Sequence, residues 1–205
     1  QGAMLVLKDA NTALIGGHTS EGAELSLGFA INGLVDRAQI MRKGGMQPGD
    51  RLILTKAIGT GTLFAADMRL KAKGRWITGA LESVLQSNQA GAQCLHDFGA
   101  TACTDVTGFG VLGHLVEMTK PSQVDVEIDL GAVPILDGAL ETVQAGIVSS
   151  LQPQNVRLRR AIRDLDKVGN DPRYPLLFDP QTAGGMLASV PGERADERSE
   201  EHTSE

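Results

Sequence analysis

Asp105 is the residue in this chain best placed to do chemistry. It ends a short apolar run and opens the stretch Thr104-Asp105-Val106-Thr107-Gly108-Phe109-Gly110-Val111-Leu112-Gly113-His114-Leu115. Glycines at 108 and 110 mark a tight turn, and Val111, Leu112, Leu115 and Val116 then recur at helical spacing. A strand, an acidic turn and a helix start therefore fall within a dozen residues. Such a junction sets one carboxylate beside backbone N–H groups and the positive end of a helix dipole. That arrangement suits a Mg²⁺-nucleotide, with the carboxylate on the metal and the amides on the phosphates. The competing role for an Asp after a strand is a turn or N-cap residue accepting a backbone N–H, and spacing alone favours the cap.

Two other segments repeat the pattern. Leu14-Ile15-Gly16-Gly17-His18-Thr19-Ser20 puts a glycine pair and hydroxyls after an apolar strand. Gly16 and Gly17 would let the backbone approach a phosphate, and His18 or Thr19 would donate hydrogen bonds; the alternative is a plain turn with His18 in solvent. Phe178-Asp179-Pro180-Gln181-Thr182-Ala183-Gly184-Gly185 makes a third such turn, in which Asp179 and Thr182 are expected to tie the chain locally. Lys56 is expected at a solvated strand end, and His114 reads as a packed helix residue. Cys94 and Cys103 lack metal-ligand spacing and read as two buried thiols of a reducing compartment.

The elements that must hold these residues alternate between strand and helix. Helix is expected over 2–9, 63–70, 79–98, 108–118 and 134–145, and strand over 13–16, 24–35, 51–57, 101–104, 124–130 and 185–190. A turn-rich connector with Gly44-Gly45 and Pro48-Gly49-Asp50 separates a first domain, 1–48, from a second, 49–191. The class is α/β (α+β), and no repeat of solenoid period is present.

Composition narrows the functions. The chain has 205 residues, 41% hydrophobic but only 3% aromatic, so its core rests on Leu, Val, Ile and Ala. The net charge of −6 and the lack of a dominant basic run argue against nucleic acid and membrane surfaces as partners. No apolar run has the length of a membrane span, and a cytoplasmic location is the expectation.

In this order the three segments GGHTSEGAELSLGFAINGLV, TDVTGFGVLGHLVEM and FDPQTAGG resemble the selenophosphate synthetase (selenide, water dikinase) family, over about residues 2–191. The resemblance implies a two-domain aminoimidazole ribonucleotide (AIR) synthetase-like fold with an incomplete N-terminal domain whose strands enter a dimeric barrel. It implies ATP and selenide as substrates, selenophosphate, AMP and phosphate as products, and a homodimer. Asp105 becomes a Mg²⁺ ligand, and Gly16, Gly17, His18 and Thr19 a nucleotide-contacting loop. The family's catalytic Cys or selenocysteine and its Lys match nothing in this chain and are expected upstream, with its other metal-binding aspartates, so the chain alone is expected to be inactive. Sister enzymes of the fold, such as thiamine-monophosphate kinase or the hydrogenase-maturation type, tend to carry Gly-Gly-Asp where His18 stands. A non-catalytic dimerisation domain is the alternative from another class.

Residues 192–205 form a polar tail. The tail is expected to be non-native, since its last eight residues, 198–205, can be back-translated into a common sequencing-library adapter; the alternative is a disordered acidic tail.

Overall fold

The structure is a computed structural model and describes residues 2–195; the expected non-native segment 198–205 lies outside them. The chain divides into two compact units, Gln1–Val35 and Asp36–Glu205.

The first unit holds one helix, α1 (Gly2–Asp9). The N–H of Ala10 bonds back to Val6 and that of Thr12 to Leu7, with Asn11 in the left-handed region at φ 48°. The strands expected over 13–16 and 24–35 do not form: these residues have no regular structure. Leu25, Leu27, Phe29 and Ile31 do alternate, yet all four are exposed. A strand acquires its ladder only from a neighbour, and among the described residues none pairs with this segment.

The second unit is built on a three-stranded sheet of β1 (Arg51–Leu54), β2 (Ala102–Asp105) and β3 (Met186–Val190). The order is β1-β3-β2, with β3 antiparallel to both neighbours. The last strand in sequence is thus the central one, and its residues 187–190 are buried on both faces. Register places Leu54 opposite Leu187, and Asp105 opposite Met186.

Alternation sorts the side chains onto two faces. Leu52, Leu54, Ala102 and Leu187 join the larger core, with Leu63, Trp76, Ala80, Val111, Leu115 and Met118. These come from α2 (Thr60–Met68), α3 (Gly74–Leu85) and α5 (Gly110–Ser122). Ile53, Cys103, Ala188 and Val190 face the other way, onto Leu95 of α4 (Gln89–Asp97). Shorter helices α6 (Ala139–Gln144), α7 (Gln152–Asn155) and α8 (Leu165–Val168) complete the unit.

Two further expectations are corrected here. The single helix expected over 79–98 is two, α3 and α4, because tertiary bonds capture the break: Lys56 Nζ donates to the Gln86 carbonyl (2.7 Å) and Asn88 Nδ2 to that of Gly184 (2.9 Å). The segment 124–130 alternates, with Val124, Val126 and Ile128 against the core and Asp125, Glu127 and Asp129 outward, but it joins no ladder and is not a strand. The mixed α/β class stands, realised as an antiparallel sheet with helices on both faces.

Candidate phosphate-binding junction

Three loops meet where β1 and β2 end and β3 begins. One leads from β1 into α2 (residues 55–59), one from β2 into α5 (106–109), and the third is the Asp179–Gly185 segment entering β3. Backbone bonds lock them together. Val106 N–H donates to the Gly185 carbonyl, and Gln181 N–H to that of Thr107, each at 2.9 Å. Gly184 packs so closely against the Val106 carbonyl that a Cβ there would overlap it.

Asp179 and Gln181 do long-range work rather than tie a local turn. Gly59, at φ 125°, precedes α2 and offers no side chain to cap it. Gln181 Oε1 instead accepts the N–H of Gly59 (3.0 Å), the N–H of Thr60 (3.2 Å) and the Thr60 hydroxyl (3.2 Å). Asp179 Oδ2 accepts the N–H of Gly61 (3.0 Å). The unsatisfied donors of a helix start are thus filled from more than a hundred residues away. Gln181 Nε2 donates to the Asp179 carbonyl and to Oδ2, which orients the carboxylate. Asp179 has 0% exposure, and its Oδ1 has no hydrogen-bond partner. Burial pushes its pKa up to about 7, against the hydrogen bonds from Gln181, Gly61 and Thr62.

Lys56 is likewise not a solvated end. It is 8% exposed, and its ammonium donates to the carbonyls of Gln86 (2.7 Å) and Ala183 (3.1 Å). Burial lowers its pKa. With Asn88 it pins the Ala183–Gly184 corner to the α3–α4 break. The sequence gives no sign of this, because both carbonyl acceptors lie far from residue 56 along the chain.

The β2–α5 loop differs from the β1–α2 loop in one decisive respect. Asp105 is exposed, and its carboxylate neither caps α5 nor accepts any hydrogen bond among the described residues. The N–H groups of Gly108 and Phe109, just ahead of α5, have no acceptor among them either. Gly110 starts the helix at φ 69°, where a Cβ would press on the Leu177 carbonyl oxygen and the Phe178 carbonyl carbon. Behind the turn, Thr107 N–H donates to His114 Nε2 (3.0 Å), His114 Nδ1 meets Glu117 Oε2 (3.0 Å), and Lys43 Nζ meets the same oxygen (2.7 Å). The hydrogen bond from Lys43, against burial and aided by His114, holds the Glu117 carboxyl below its usual range.

One exposed carboxylate and two open amides within five consecutive residues are a donor set that can take a divalent cation already carrying phosphate, since Mg²⁺ binds through one or two carboxylates plus phosphate oxygens and water. No group of three or more His, Cys, Asp or Glu among the described residues could hold a metal by itself. Gly16, Gly17, His18 and Thr19 lie in the first unit, exposed and without regular structure. Neither Cys94 nor Cys103 is in a disulfide, and Cys94, expected to be buried, is only half-buried. Cys103 is buried, and burial, with the Asp105 charge, pushes its pKa to about 11, which leaves it unreactive. No helix of the described residues is long and apolar enough to cross a membrane.

The family model of the AIR synthase related protein, C-terminal domain, matches residues 47–202. The chain belongs to this family. The match takes in β1, β2, β3 and all three loops of the junction. Among its relatives are the selenide, water dikinase of Clostridioides difficile (strain 630), 36% identical over 193 residues, and that of Geobacter metallireducens, 38% identical over 197. These alignments cover 93% and 95% of this chain but 55% and 57% of the relatives. The chain thus spans about half the length of the curated proteins it matches. Among solved structures, thiamine-monophosphate kinase from Stenotrophomonas maltophilia superposes with a TM-score of 0.55, at 19% identity, over 83% of this chain and 48% of that one. The hydrogenase maturation protein HypE superposes with a TM-score of 0.50, at 21% identity, over 80% and 42%. At that identity the likeness establishes the AIR synthetase-like fold and nothing finer.

Proposed function

We propose that this chain is part of a selenide, water dikinase, the enzyme that uses ATP, selenide and water to form selenophosphate, AMP and phosphate. The observation that supports this most directly is the open turn of residues 105–109 within a chain more than a third identical to proteins of that name. Asp105 is the proposed Mg²⁺ ligand, and the N–H groups of Gly108 and Phe109 are the proposed phosphate donors. The α5 dipole adds a favourable field for negative charge at the same place. Mg²⁺ would neutralise charge along the triphosphate. The turn's own part is to fix one metal ligand and two donors in advance, so that no reorganisation is needed as charge builds on a transferring phosphoryl group. The Gly16-Gly17-His18-Thr19 loop is proposed as a nucleotide-contacting segment, its glycines allowing close backbone approach.

The working enzyme is proposed to be a homodimer of a longer protein, with its reactive Cys or selenocysteine and Lys outside this chain. A second reading, a non-catalytic self-association module, has one observation in its favour: the exposed apolar alternation of residues 25–31. One measurement separates the two. Equilibrium dialysis of the 205-residue chain should show ATP uptake that requires Mg²⁺ or Mn²⁺ and is lost in Asp105→Ala. Uptake unchanged in Asp105→Ala would remove the metal assignment, and no uptake by the parent chain would favour the self-association module. Selenide-dependent turnover by the isolated chain would refute its proposed inactivity.

A further inference from the structure

His114 is 3% exposed, packs against the Phe109 ring at 5.6 Å between centroids, and hydrogen-bonds neither Asp105 nor the open amides. Its two ring nitrogens have different partners. Nε2 faces a backbone donor, the Thr107 N–H at 3.0 Å, so Nε2 must carry the lone pair. The single ring proton then sits on Nδ1 and points at Glu117 Oε2 at 3.0 Å. Glu117 is fixed in turn by Lys43 at 2.7 Å. Lys43 comes from the segment before β1, Glu117 and His114 from one face of α5, and Thr107 from the β2–α5 turn. A chain of polar contacts thus ends on the turn, two residues past Asp105.

We infer that His114 is a positioning residue. Held as its Nδ1–H tautomer by Glu117, it fixes the turn that presents Asp105 and the open N–H groups of Gly108 and Phe109. By occupying the Thr107 N–H it also decides which amides of the turn stay open. Without that acceptor, the half-buried Thr107 N–H would lack its protein partner, and the turn would have reason to rotate. A histidine whose orientation is set by a carboxylate behind it is a familiar means of holding a site one shell removed from the ligand. The significance for catalysis rests on the proposed metal–phosphate role of the turn; the geometry of the turn does not.

The test uses the 205-residue chain in three measurements. Imidazole ¹⁵N shifts should show His114 protonated at Nδ1 and bare at Nε2; the reverse tautomer overturns the inference. Amide exchange at Thr107 should accelerate about ten- to a hundredfold in His114→Asn, which has no acceptor at the Nε2 position, while the amides of β3 keep their protection. His114→Gln, whose Oε1 reaches that position, should restore the slow rate. Unchanged Thr107 exchange in His114→Asn, or no rescue by Gln, overturns the inference. Mn²⁺-ATP affinity should fall about ten- to a hundredfold in His114→Asn and recover in His114→Gln. Equal affinity in all three, with Asp105→Ala impaired, also overturns it. If the parent chain takes up no Mn²⁺-ATP, the proposed function fails instead, and the tautomer and exchange results still decide the role of His114.

Discussion

Replacing Asp179 by Asn should change how the stability of this protein depends on pH. Asp179 is fully buried, and burial raises its pKa from the ordinary 3.8 to about 7 despite hydrogen bonds from Gln181, Gly61 and Thr62. Between those two values the folded chain keeps a proton that the unfolded chain releases. Its contribution is therefore fully present below 3.8 and is lost as pH rises through 7. At about 1.4 kcal/mol for each pH unit, the whole window is worth about 4 kcal/mol, of which about 3 falls between pH 5 and pH 8. Asn has the same outline and cannot ionise. Its oxygen can accept from Gly61 and Gln181, and its amide leaves one donor unpaired where Oδ1 has no partner. That is a constant penalty and adds no slope. Urea unfolding of both proteins at several pH values cancels every other titrating group in the difference. The variant should gain on the parent by about 3 kcal/mol from pH 5 to pH 8, a midpoint change of about 1.5 M at a typical urea slope. Parallel stability curves for the two proteins would show that Asp179 is ionised in both states, and the closed capping network would need redrawing.

Gln181→Leu should cost about 2–5 kcal/mol, since it strips the acceptor from two backbone donors at the start of α2 and a donor from the Asp179 carboxylate; a urea midpoint within error of the parent would contradict the capping role. Asp50 tests the opposite sign. Burial opposes its charge, but hydrogen bonds from Thr101, Gln47 and Ser189 outweigh that and hold its pKa below 3.8. Its stabilisation is present above 3.8 and drains away as pH falls through the folded value, so Asp50→Asn should be less stable near neutrality and converge with the parent in acid. A gap that stays constant from pH 7 to pH 3 would refute it.

Local signals carried the strands and helix starts of the second unit. Arg51–Leu54 and Met186–Val190 fall within strands expected from apolar runs, and Ala102–Asp105 overlaps one but runs a residue further, because each buries at least one face against helices. The segments at 13–16, 24–35 and 124–130 have the same local character and form no ladder. What they lack is a hydrogen-bonded neighbour, and no pattern within a segment reports that. Lys56, Asn88 and Gln181 were illegible for a related reason. Their meaning comes from backbone groups at 86, 183, 184, 59 and 60, which only folding brings near. Asp105 was legible as a residue at a strand-to-helix corner. Whether it capped the helix or stood open was not, since a cap and an open carboxylate occupy the same place in sequence.

The two helix starts at the junction answer that question by contrast. Both follow a strand, and both have a glycine at the corner. At α2 the donors are taken by Gln181 and Asp179, and the acid that supplies one acceptor is buried. At α5 no side chain fills the Gly108 and Phe109 donors just ahead of the helix, and the nearby acid is exposed. A protein that needed only a stable corner would gain from capping both, at about 1 kcal/mol for each cap. Leaving α5 uncapped forgoes that stabilisation. The His114–Glu117–Lys43 contacts then hold the uncapped turn from behind, through the Thr107 amide. A rigid turn with open donors and an exposed carboxylate is poorly explained by folding alone. It is consistent with the proposed metal–phosphate role, for which donors held in place before the ligand arrives need not reorganise.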